Sequence, residues 1–134
     1  VSVYEAYKKS GPNVLGVEAL QGDDGCTGVK VNTADGYADY LFSATDMQAH
    51  HPSKRVSFCG GLGLIREKEG QIQLMYLGCG RSLKKGNFVL ESDHDVYAAI
   101  YMQHGVWYYS ATGPVRVKIG KETKELNEGY NQKL

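Results

Sequence analysis

Seventeen glycines are spread through 134 residues, and apolar stretches are cut short by a turn residue before a helical period can establish itself. Over residues 58–119, short apolar and aromatic segments alternate with Gly-containing turns, and no stretch carries a helical period long enough to stand alone. That pattern belongs to an all-β fold, an antiparallel β-sandwich of about ten short strands. A single domain spanning residues 1–134 is expected. A chain of this length buries roughly two thirds of its unfolded surface without help from metal or disulfide.

Strand candidates follow from apolar alternation. They are residues 1–8, Val14–Leu20, 27–33 and 37–43, the last two closed into a hairpin by Ala34-Asp35-Gly36. Asp-Gly suits that hairpin because it tolerates positive φ. Residues 45–54 are polar, end near Pro52 and read as an exposed connection. Residues 55–59, 62–67 and 71–77 then form a meander, with Gly60, Gly61 and Gly63 marking a bulge or a bend from one sheet to the other. Residues 87–91, 96–102, 106–110 and Val115–Ile119 follow, joined by Ser-Asp-His-Asp, Gln-His-Gly and Ala-Thr-Gly-Pro. Residues 120–134 are charged and supply at most one more edge strand before a frayed tail.

Fifteen basic and fifteen acidic residues cancel. No long-range field draws in polyanions, which argues against nucleic acid as a partner. No apolar run approaches the roughly 20 residues of a membrane span. No signal peptide opens the chain, and a first residue of Val rather than Met reads as a processed or excised piece. Cys26, Cys59 and Cys79 are an odd set without a CxxC pair, so no zinc site is indicated, and at most one bridge can form.

Candidate chemistry is sparse. His50 and His51 are adjacent, so on extended backbone they point opposite ways and read as a solvated loop pair. Asp93-His94-Asp95 gathers three donors, yet a turn stabilised by its own side chains explains them. No metal or cofactor is expected. Gly78-Cys79-Gly80-Arg81 looks like a reactive-thiol loop, but a hairpin accounts for the same glycines. No nucleophile elbow or phosphate loop is present, so no catalytic residue is nominated.

The most suggestive surface lies in Gly-Val-Trp-Tyr-Tyr-Ser, where Trp107 and Tyr109 share one sheet face. Exposed, the two rings would stack successive sugars and make the candidate carbohydrate-binding pair Trp107 and Tyr109. Inward, they would anchor the core, which is the usual place of the only Trp in a small sandwich.

The chain resembles the C-terminal sandwich domain of heparinase II/III-like polysaccharide lyases. The resemblance lies in Gly61-Leu62-Gly63-Leu64-Ile65-Arg66, a charged-Gly turn, a strand ending in Gly78-Cys79-Gly80, and a Ser-Asp hairpin. Residues 39–43 (DYLFS) are similar to the family's strand after an Asp-Gly turn, and residues 1–9 (VSVYEAYKK) to a strand closing a preceding domain. The resemblance implies a non-catalytic accessory domain, partnered by the catalytic domains of a parent lyase and in contact with polysaccharide, in a periplasmic or secreted protein. The family's catalytic motifs lie in other domains, and none is found here. Two alternatives stay open: an independent carbohydrate-binding module, and a small stand-alone β-barrel enzyme.

Overall fold

The computed structural model describes residues 11–134; the strand expected over 1–8, and its assignment to a preceding domain over 1–9, lie outside the described residues. The strands are β1 (Val14–Leu20), β2 (Cys26–Thr33), β3 (Tyr37–Ala44), β4 (His50–Ser53), β5 (Val56–Lys68) and β6 (Gln71–Lys85). They continue as β7 (Phe88–Gln103), β8 (Val106–Ala111), β9 (Val115–Ile119), β10 (Glu122–Leu126) and β11 (Gly129–Lys133). The fold is all-β, and every pairing is antiparallel.

Pairing runs β1-β2-β3-β5-β6-β7-β8-β11, while β4 pairs with β5, and β9 pairs with both β7 and β10. One sheet makes a sandwich because β5, β6 and β7 are long enough to belong to two layers. The larger layer holds β1, β2, β3, the second half of β5, the first half of β6, the second half of β7, β8 and β11. The smaller layer holds β4, the remaining halves of those three strands, β9 and β10. Phe42 meets Phe58 at 6.0 Å between ring centroids, and Phe88 meets Trp107 at 5.8 Å, each pair joining one layer to the other.

The corner is built by glycine. Register shifts at Cys59/Gly60 and around Gly80 let the strands turn, and residues 92–95 of β7 pass the corner outside the β6 pairing. A Cβ on Gly80 would lie 2.7 Å from the Cys59 carbonyl oxygen and 2.8 Å from the Gly60 Cα, so only glycine lets the two backbones touch.

Several expectations change. The Gly78–Gly80 hairpin is instead a bulge inside β6, with Cys79 at φ 49°. The Ser92–Asp95 turn is instead a bend within β7. The 45–54 connection contains β4, and residues 120–134 carry two strands rather than one. In each case the pairing of these residues or of those flanking them decided the outcome, and local polarity does not reveal it. The Gln-His-Gly joint is a turn as expected, and both Glu69-Gly70 and His104-Gly105 carry two consecutive positive φ values as a tight hairpin requires.

The core lies between the layers. Phe42, Ile65, Met75, Leu77, Ile100 and Tyr109 of the larger layer meet Val56, Phe58, Leu83, Leu90, Val115 and Val117 of the smaller.

Candidate functional site

The two rings singled out in the sequence share the inward face. Tyr109 is 8% exposed and belongs to the core, so it offers no platform to solvent. Trp107 is half-buried, with its ring against Phe88 at an interplanar angle of 52°. Tyr109 sits opposite Ile100 in the middle of the layer, whereas Trp107 lies nearer the turn, where the layers part. Beside Trp107 a cleft of about 250 Å³ opens between the layers, lined also by the side chains of Val106, Val117, Ile119, Glu122, Lys124 and Leu134.

A feature missed in the sequence is His50. It is 5% exposed, with Nδ1 3.1 Å from Asp23 Oδ1 and Nε2 2.7 Å from Asp46 Oδ1. Both carboxylates are satisfied at once when both ring nitrogens donate, which is the imidazolium form. Its pKa is raised, first by the bond to Asp46, against the opposing effect of burial. Asp23 is held below the usual carboxylate range, chiefly because it accepts the His51 backbone N–H at 2.8 Å. Asp46 is lowered chiefly by His50. This clamp ties the β1–β2 and β3–β4 loops together. The i, i+4 spacing of Asp46 and His50 was its only local signal, and Asp23 arrives through the fold.

A polar groove of about 500 Å³ runs along the outer surface of the smaller layer near the corner. Its cations are already paired: Arg81 with Asp95, Lys84 with Glu91, and Arg116 with both Glu91 and Glu125. Glu91 is lowered chiefly by Lys84. Asp95 is thus committed to Arg81, the cation that the sequence placed beside Cys79. Among the described residues no three His, Cys, Asp or Glu side chains are grouped to hold a metal. The three cysteines are free thiols, and burial pushes those of Cys26 and Cys59 up.

The outward face of the larger layer is unusually apolar. Because Phe42 points inward, Leu41 points outward, and the register carries one row across the sheet as Val29, Leu41, Leu64, Tyr76, Ala99 and Ser110. The next row reads Val31, Asp39, Arg66, Leu74, Tyr101 and Tyr108. Its only charges cancel, since Arg66 donates to both Asp39 oxygens at 2.7 Å. Val29 and Val31 are buried, but Leu41, Leu64, Leu74 and Tyr76 are half-buried, while Leu62 is 44% and Tyr97 54% exposed. Tyr101 and Tyr108 stack on each other at 6.0 Å, and the Tyr101 hydroxyl donates to Asn131.

The family model of the endo-acting ulvan lyase C-terminal domain matches residues 14–102. This chain belongs to that family. The match runs from the start of β1 almost to the end of β7, so it covers the three corner strands and the rows across the larger layer. As a member of the ulvan lyase C-terminal family, the chain is a polysaccharide lyase C-terminal domain, the coarser part of what its sequence resembled. Trp107, Tyr109, β9 and β10 lie beyond the matched residues of the family model. No curated protein and no solved structure matches this member of the family.

Proposed function

We propose that this chain is a non-catalytic accessory domain of an ulvan-degrading lyase, and that it packs against the catalytic part of that enzyme with the outward face of its larger layer. The observation that carries the reading is the pair of apolar rows. The solvent side of an antiparallel sandwich is ordinarily polar, and a contiguous apolar patch on a folded domain marks an interaction surface.

The absence of a catalytic role is supported by chemistry. Elimination beside a uronate needs a neutraliser for the carboxylate and a positioned base. The groove cations are spent on carboxylates, His50 has no free ring nitrogen, and the Tyr40 hydroxyl is raised by burial and by Glu67. The finer assignment to the heparinase II/III-like type rests on the residue pattern given above, as does a periplasmic or secreted location, which suits a polymeric substrate. A strong helical signal in circular dichroism of the whole lyase would support that type.

The test is made in the lyase that carries the domain. With Leu64→Lys and Tyr76→Lys, the domain should melt separately from the catalytic part and a protease should cleave between them. Unchanged joint melting would refute the docking. Unsaturated uronate produced by the isolated chain, above a heat-killed control, would refute the non-catalytic reading.

A further inference from the structure

We infer that the cleft beside Trp107 is a binding site for the uronate-bearing end of an oligosaccharide. One side of the Trp107 ring rests on Phe88, which fixes its orientation before any ligand arrives. Val117 and Ile119 continue the apolar floor.

The inward face of β10 supplies the polar part. Register places Leu126 opposite Val115, Lys124 opposite Val117 and Glu122 opposite Ile119, so all three share the side that faces the core. Leu126 packs against the core, as a closing strand would dictate, but the next two positions are an ammonium and a carboxylate. Both are exposed, and neither forms an ion pair among the described residues. This contrasts with the groove on the opposite surface of the same layer, where every cation is paired. A rigid aromatic floor under one unpaired cation and one acceptor suits a pyranose ring: the C–H face rests on Trp107, a carboxylate meets Lys124, and a hydroxyl donates to Glu122.

Size limits the ligand. At about 250 Å³ the cleft is smaller than the roughly 300–1,000 Å³ of sites that enclose a drug-sized ligand. It admits one ring at a chain end. The choice of a uronate rests on the lyase reading above, since elimination at a uronic acid leaves that residue at the end of a product.

Trp107 is the only Trp in the chain, so its fluorescence reports on this cleft alone. The isolated wild-type chain is titrated with glucuronate oligosaccharides and with neutral glucose oligosaccharides of equal length. A saturable change is expected, with the neutral sugars binding about tenfold more weakly. Lys124→Met should bring glucuronate binding down to the neutral level while leaving the melting temperature unchanged. No saturable change, equal response to the neutral sugars, or wild-type binding by Lys124→Met would each overturn the site. Leu64→Lys, on the outward face, should leave the titration untouched, so failure here is separable from failure of the docking reading.

Discussion

Nε2 of His50 donates to Asp46 Oδ1 at 2.7 Å from a ring that is almost wholly enclosed. Because the folded-state pKa of His50 is raised, its contribution is complete below the ordinary imidazole value of about 6.5 and is lost as pH rises through the folded value. Asp23 and Asp46 are lowered, so theirs is complete above about 4 and is lost as pH falls through their folded values. Melting temperature should therefore fall as pH rises above about 6.5 and again in acid. His50→Gln should abolish the alkaline decline; a variant that keeps the wild-type slope would show that the clamp does not titrate.

Gly80→Ala should destabilise the fold by about 1–3 kcal/mol, because the new methyl meets backbone on two sides. Gly16→Ala, with nothing within 4 Å of its Cβ, serves as the control and should be nearly neutral. Denaturant midpoints compare them, and equal midpoints would refute the close-approach account.

Lys85 of the smaller layer pairs with Glu67 of the larger and lies 3.9 Å from the Tyr40 ring centroid. The side chains are only 15% and 12% exposed, so Lys85→Met leaves a carboxylate uncompensated between the layers. A loss of about 3 kcal/mol is expected. Lys85→Met with Glu67→Gln should recover much of it, which a double-mutant cycle measures.

Replacement of the two inward rings should separate their roles. Tyr109→Ala should cost about 3 kcal/mol or more, as for a buried aromatic truncated in a core. Trp107→Ala should cost about half as much, because part of that ring faces the cleft. Equal losses in thermal unfolding would place Trp107 fully in the core.

The β-class and most strands were legible in the residues themselves. Alternation such as Val29, Val31 and the Asp35-Gly36 turn act within a few positions, as do the positive-φ pairs Glu69-Gly70 and His104-Gly105. Gly60, Gly61 and Gly63 likewise announced a bend between sheets.

The rest was settled by contacts between distant residues. Whether Gly78–Gly80 turns the chain back or bulges a continuing strand depends on Gly60 lying against it. Whether His50 is a solvated loop residue or a buried cation depends on Asp23, 27 positions away. Trp107 and Tyr109 have the same local alternation, yet the Tyr109 ring lies in the core and the Trp107 ring beside a cleft, because the two layers close over Tyr109 and part next to Trp107. Period-two alternation dictates which side chains share a face; only the second layer, folded back at the glycine corner, dictates which of them water can reach.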